Sequence, residues 1–285
     1  MGVAREGEGV RADLDALASQ VHPVFMLPPI AVSWYGALLA GAVDFVIGSV
    51  HMLAIFAAVY TAHVKDGYVD CYIRGEDATN PLTPAGCYRA LVGASALFGA
   101  CLVTLYVLVD IWAVLLTAPC WFIAYHHAPH LDLTPIGSTA GYPAGIALSL
   151  LGGHYGQAIG LSGPVVASAI VLFVLVSGIK IIDDSKDFRY DRSIEKRTVA
   201  VLVGPARARS VAYGLFGLAC LLTVGAALGP LFPIEAAGAA FAFGVVAAIA
   251  HSASSKRATM LLIRGAYVFV AVLLAAIWFA PSRGL

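Results

Sequence analysis

Long apolar runs alternate with short polar breaks along this chain, and the runs are too long and too uniform to be the buried elements of a water-soluble core. At about 20 apolar residues per bilayer crossing, the pattern predicts nine membrane helices, at 24–47, 48–64, 88–109, 111–125, 136–157, 163–182, 211–228, 234–250 and 258–280. Ahead of them lies a polar stretch. Within it, residues 12–21 carry a weak helical periodicity that puts Leu14, Leu17, Ala18 and Val21 on one face, as in a helix lying at a membrane interface. It lacks the basic start and apolar run of a cleavable signal peptide. The expected organisation is an N-terminal polar or interfacial segment, 1–22, and a single transmembrane domain, 23–285.

Composition agrees with the pattern. Apolar residues make up 60% of the chain and charged residues only 12%, whereas soluble domains carry about a quarter charged. Basic residues set the orientation, because they favour the cytoplasmic side. With nine crossings, sixteen of the seventeen Lys and Arg residues fall on the side of the N-terminus, and only Arg283 is left for the other. This predicts a multi-pass protein of the cell membrane with its N-terminus and both of its acidic clusters cytoplasmic. The five cysteines show no Cys-x-x-Cys spacing and read as small buried thiols rather than a zinc site or disulfide framework. Nothing points to nucleic acid or to a protein partner.

The two acidic clusters change the picture. In one, Asp66 and Asp70 stand four residues apart at the end of the second predicted helix, followed by Arg74, Glu76 and Asp77. In the other, Asp183, Asp187 and Asp191 are spaced so that a continuing helix would stack three carboxylates on one face. Unpaired, such carboxylates repel one another and resist ionisation. Magnesium resolves this, since it takes one or two carboxylates together with substrate phosphates. The interleaved Lys186, Arg189, Arg192, Lys196 and Arg197 suit the remaining charge of a diphosphate. A solvated loop of mixed charge is the competing reading for either cluster alone. Two clusters on one side can face each other across a bundle, each binding a cation that bridges one diphosphate. Neutralising that group is what ionising an allylic carbon–oxygen bond requires.

The stretch from Asp187 through Asp191, Arg192, Lys196, Arg197 and Thr198 to Gly204 resembles the second aspartate motif of the UbiA superfamily of intramembrane prenyltransferases. It is similar above all to the menaquinone-pathway branch, with its Asp-Arg-x-x-Gly-Lys-Arg-Thr-x-Ala-Val continuation, and the likeness runs from about His22 to the C-terminus. Glu195 stands where Gly is common, Asp66 where Asn is typical, Gly67 where Asp is typical, and His22-Pro23 where Arg-Pro is usual. The resemblance implies an all-α bundle of nine transmembrane helices around a central cavity, with magnesium as cofactor. It also implies that Asp66, Asp70, Asp187 and Asp191 are catalytic metal ligands, with Asp183 and Asp184 as auxiliary ligands. Lys186, Arg192, Lys196, Arg197 and Arg74 are then the diphosphate contacts. The loop holding His126, His127, His130 and Asp132 offers His126 and His130 as acceptor-side candidates, against the simpler reading of an interfacial loop. The expected partners are the lipid bilayer, a prenyl diphosphate and a lipophilic acceptor.

Three functions are compatible with these residues. The leading one is transfer of a prenyl group to a lipophilic acceptor. A second is cyclisation of the prenyl chain by its own double bond, as in a terpene cyclase with no acceptor. A third, a cation-coupled transporter, fits less well, because transporters place acids near the midplane and show inverted repeats, whereas these acids lie at helix ends.

Overall fold

The computed structural model describes residues 2–280, and Arg283 lies outside the described residues. Among those described there is no β-strand, and nine helices of fifteen residues or more follow the nine predicted runs in order. An all-α architecture is what a bilayer imposes, because a helix satisfies its backbone donors and acceptors within itself. Six helical stretches, Phe45–Arg74, Pro84–Leu108, Gly163–Lys186, Pro205–Leu228, Ile234–His251 and Lys256–Phe279, are long and apolar enough to cross a membrane. They become seven if the bent pair Val10–Ala18 and Pro23–Leu39 is one span. The protein is a multi-pass membrane protein.

The chain divides into two compact units. The first runs to Leu131 and takes in Leu148–Ile159; the second is Asp132–Ala147 and the chain from Gly160 onward. Helix α6 (Pro135–Ala158) contributes to both.

In the first unit, α1 (Val10–Ala18), α2 (Pro23–Leu39), α3 (Phe45–Tyr68), α4 (Pro84–Leu108) and α5 (Ile111–His126) precede the end of α6. Helix α3 packs against α2, α4 and α5. Its Ala54, Ile55, Ala57 and Ala58 meet Phe98 and Cys101 of α4 and Cys120 and Ala124 of α5. Small side chains let helix backbones approach, which is how apolar helices associate when lipid offers them nothing worse than protein.

The turn between the first two membrane helices lies earlier than the expected break at 47/48. Gly41 reverses the chain at φ 85°, and Asp44 caps α3 by accepting hydrogen bonds from the Val46 and Ile47 N–H groups. Apolar residues run on through this turn, so hydropathy alone does not mark it. His51 is buried inside α3, with its Nδ1 2.7 Å from Ser33 Oγ. The amphipathic stretch forms α1, but with a different buried face. Ala12, Ala16 and Leu17 pack with Val64, Leu82 and Cys87, while Leu14 and Val21 stay exposed.

In the second unit α7 (Gly163–Lys186) is the central helix: 61% of its apolar window is buried, against 22–39% for the other five spans. It packs against α10 (Pro205–Leu228) and α12 (Ser255–Phe279), and α11 (Ala237–His251) packs on both of these. Phe216, Phe243 and Phe269 meet edge to face, with ring centroids 5.3 and 6.2 Å apart. Between α7 and α10 lie two short helices, α8 (Phe188–Ser193) and α9 (Val199–Val203). Helix α10 starts six residues before the expected 211, because Gly204 at φ 83° and Pro205 in the first turn define its start. All five cysteines are free thiols.

Candidate active site

The second acidic cluster is built where α7 ends. Asp183 and Asp184 occupy its last turn, Asp187 sits at the break, and Asp191 lies in α8. The expected stack of Asp183, Asp187 and Asp191 along one continuous helix is therefore interrupted: the backbone at Asp187 has φ −100° and ψ 11°. Aspartate favours such helix ends because its short side chain competes for nearby backbone groups. The carboxylates also differ in partner. Asp183 accepts from Lys186 Nζ at 2.5 Å, and Asp184 Oδ1 accepts from Lys180 Nζ one turn earlier in α7.

Asp184 and Asp191 are the buried pair, at 6% and 5% exposure. Asp184 Oδ2 is buried without a hydrogen-bond partner, a costly arrangement for a carboxylate oxygen unless a cation completes it. Burial pushes the Asp191 carboxyl up to about 6; Lys196 and Lys180 draw it down, and the charges of Asp184 and Asp187 push it further up. A carboxylate this reluctant to ionise is relieved by a divalent ion. Among the described residues no three His, Cys, Asp or Glu side chains already converge as metal ligands. Magnesium does not demand that, since it retains waters and uses substrate phosphates. The orphaned Asp184 oxygen beside the charge-burdened Asp191 fits such an ion.

Of the predicted diphosphate contacts in this cluster, Lys196 is half-buried and acts on Asp191, Lys186 is held by Asp183, and Arg192 and Arg197 are exposed. Lys180 is a residue that sequence reasoning missed as part of the site. Its i, i+4 spacing to Asp184 was the available signal. The loop is closed by the Lys196 N–H donating to the Asp191 carbonyl at 3.0 Å. That closure needs a left-handed residue, and Glu195 supplies it at φ 59°. This is the position where the resembled motif carries Gly, which adopts that conformation without strain.

The first cluster has a different construction. Asp66 lies in the last turn of α3 and Asp70 in a wider π-helical turn, Val69–Arg74. Gly75, at φ 66°, then folds the chain back, so that the Glu76 N–H donates to the Asp70 carbonyl at 2.7 Å. Glu76 is brought onto Arg74: its Oε1 is 3.7 Å from Arg74 Nε, while Arg74 Nη1 is 3.6 Å from Asp70 Oδ1. Glu76 is only 8% exposed and is a second residue the spacing argument passed over.

The N-terminal segment braces this cluster. Ala4 pairs with Leu82 in a single antiparallel bridge, the Thr83 N–H donates to the Val3 carbonyl at 3.0 Å, and Asp13 Oδ1 accepts from the Val3 and Ala4 N–H groups. The Tyr72 hydroxyl donates to the Leu82 carbonyl at 2.5 Å. Beside Asp66, a Cβ at Gly67 would meet Asn80 Nδ2 at 2.9 Å and Gln20 Oε1 at 3.5 Å, so neighbours already occupy the side-chain space at 67.

His126 and His130 belong to an aromatic group at the end of α5. The His126 and His130 rings are 5.6 Å apart, and His126 also lies 4.4 Å from the Phe122 ring. Lys65 Nζ stands 4.9 Å over the Tyr125 ring, a cation–π distance. His63, one turn before Asp66, lies 4.7 Å from the His22 ring and has a buried Nε2 without a hydrogen-bond partner. Its spacing to Asp66 was visible in the sequence; its pairing with His22 was not.

No protein-family model matches the chain, and no curated protein matches it. Solved structures do. A UbiA homologue from Aeropyrum pernix K1 superposes with a TM-score of 0.71 at 17% identity, covering 90% of this chain and 98% of that one. A digeranylgeranylglyceryl phosphate synthase gives 0.70 at 14% identity, with 93% and 99% covered. A UbiA homologue from Archaeoglobus fulgidus bound to DMAPP and Mg²⁺ gives 0.69 at 14% identity, with 94% and 99% covered. The fold of this chain is the UbiA fold.

Proposed function

We propose that the protein is a magnesium-dependent intramembrane prenyltransferase of the UbiA type, which moves a prenyl group from a polyprenyl diphosphate to a lipophilic acceptor. The observation that carries this is the pair Asp184 and Asp191: two buried carboxylates where α7 gives way to α8, one in the last turn of α7 with an orphaned oxygen, the other in α8 and pushed up to about 6 by burial and by its acidic neighbours. Support also comes from the Asp187–Gly204 motif and from similar folds solved with DMAPP or GPP and Mg²⁺.

On this reading Asp183, Asp184, Asp187 and Asp191 hold magnesium, and Lys186, Arg192, Lys196 and Arg197 contact diphosphate oxygens. Bound magnesium supplies neutralisation of the diphosphate as its bond to the allylic carbon breaks. The apolar helices keep water from the prenyl tail. His126 and His130 remain the acceptor-side candidates, and both acidic clusters face the cytoplasm.

The test is to incubate the purified protein with Mg²⁺ and geranyl, farnesyl or geranylgeranyl diphosphate, with and without quinone-precursor and glycerol-lipid acceptors. Extracts are read by mass spectrometry beside an Asp187→Ala control. A prenylated acceptor absent from the control is the expected result. A cyclic terpene formed without acceptor would replace transferase by cyclase. Intact diphosphate under every condition would remove both.

A further inference from the structure

Resting on that reading, we propose that Lys180 is a resident cation of the α7 cluster: it supplies positive charge that a metal would otherwise bring, so that the bare site holds magnesium weakly and takes it up together with the diphosphate. Lys180 lies within the membrane-spanning part of α7, between Ile179 and Ile181, where an ammonium group is costly and needs a partner. Its partner is Asp184, one turn on, whose Oδ1 accepts from Lys180 Nζ. The lysine side chain is 24% exposed and that of Asp184 7%, so water screens the pair poorly.

The pairing uses only half of the Asp184 carboxylate. Oδ2 stays buried without a hydrogen-bond partner, so Lys180 fixes one oxygen and leaves the other for an incoming ion. Lys180 is thus a positioning residue for Asp184. It is also a charge beside that ion.

Charge decides the order of binding. Asp183 accepts from Lys186, Asp184 from Lys180, and Asp191 feels the positive charge of Lys196 and Lys180. With Asp187 at the break, four carboxylates meet three ammonium groups, which leaves one negative charge uncompensated. That is too little for a divalent ion. The missing charge is what a diphosphate carries, and magnesium commonly combines one or two carboxylates with substrate phosphates. Geometry agrees, since no three ligands converge in advance among the described residues. Every group in this argument belongs to the second unit.

The experiment titrates Mn²⁺ by electron paramagnetic resonance on the full-length protein in detergent, with the Asp187→Asn/Asp191→Asn variant as background. Geranyl S-thiolodiphosphate serves as an analogue that resists ionisation. In the wild type, the analogue should tighten Mn²⁺ binding on the order of tenfold or more. Lys180→Met should bind Mn²⁺ tighter than the wild type without any analogue, again on the order of tenfold or more, and Mn²⁺ should raise its melting temperature by more than it raises that of the wild type. Lys180→Gln, which keeps a donor for Asp184 but not the charge, should do the same and guards against misfolding of the methionine variant. Lys186→Met removes a more exposed charge, at 34%, and should tighten binding less. A lysine that served the structure alone would give weaker metal binding when replaced. Bare wild-type protein that binds Mn²⁺ as tightly as with the analogue, or Lys180 variants that bind it no tighter than the wild type, overturns the inference and leaves the prenyltransferase reading standing. No Mn²⁺ above background even with the analogue overturns both.

Discussion

The carbonyl oxygen of Ser33 in α2 lies 2.1 Å from the place a Cβ on Gly153 of α6 would take, and the Leu150 carbonyl stands in the same relation to Gly36. Two helices thus cross with backbone against backbone, each lending the glycine the other requires. Nothing lies within 4 Å of a Cβ at Gly145, earlier in α6. Gly153→Ala should therefore lower stability by about 1–3 kcal/mol or more, the usual range for overpacking. Gly145→Ala should be neutral or slightly stabilising, as alanine favours helix. Thermal unfolding of the detergent-solubilised variants separates the two; equal losses would mean that the crossing is looser than its geometry.

Glu195 pays a conformational penalty for the left-handed turn that closes on Asp191. A non-glycine residue there costs roughly 1–2 kcal/mol, partly offset by the greater unfolded-state entropy of glycine. Glu195→Gly is expected to raise the unfolding midpoint, with a net gain of up to about 1 kcal/mol. A lower midpoint would assign the Glu195 side chain a stabilising contact that outweighs the strain.

Removing a carboxylate from the α7 site should act on chemistry more than on folding. Asp191→Asn removes a buried charge, so its unfolding midpoint should hold or rise, while magnesium-dependent turnover falls on the order of a hundredfold or more. Asp184→Asn should also lose turnover, and in addition strand Lys180 without its carboxylate, so it should be the less stable of the two. Steady-state rates beside melting curves check both; if Asp191→Asn turns over like the wild type, the α7 carboxylates are not the metal site.

Asp110 caps α5 by accepting from the Trp112 and Ala113 N–H groups and takes the Tyr155 hydroxyl at 2.8 Å. Desolvation opposes its charge, but these hydrogen bonds outweigh it and hold the carboxyl below its usual range. The folded value is thus below the unfolded one. The stabilisation is complete above the ordinary carboxylate range and is lost as pH falls through the folded value. Asp110→Ala should lower the melting temperature at pH 7 and do so by less near pH 3. A loss that does not change with pH would mean that the cap works without its charge.

The second acidic motif was readable from the chain because it is local: Asp183 to Lys196 fall within fourteen residues, and their helix-end positions follow from the end of one apolar run. Asp110 was readable in the same way, as the polar break between two predicted spans. The first cluster was only half readable. The spacing of Asp66 and Asp70 marks it, but the grip of Glu76 on Arg74 depends on a reversal at Gly75, which hydropathy does not register. The brace from the N-terminal segment joins residues far apart in the chain, as when the Thr83 hydroxyl donates to the Gly2 carbonyl at 2.9 Å.

By itself, the sequence determined that this is an all-α membrane protein, the order of the nine long helices among the described residues and the two places where acids gather at helix ends. These follow from the cost of exposing backbone or charge to hydrocarbon, a cost each segment meets alone. Only the tertiary structure decided which face of α1 is buried, that His51 pairs with Ser33, that α2 and α6 cross on their glycines, and which cation each aspartate meets. Those outcomes depend on side-chain direction and on distances across helices, and a pattern averaged along one segment carries neither.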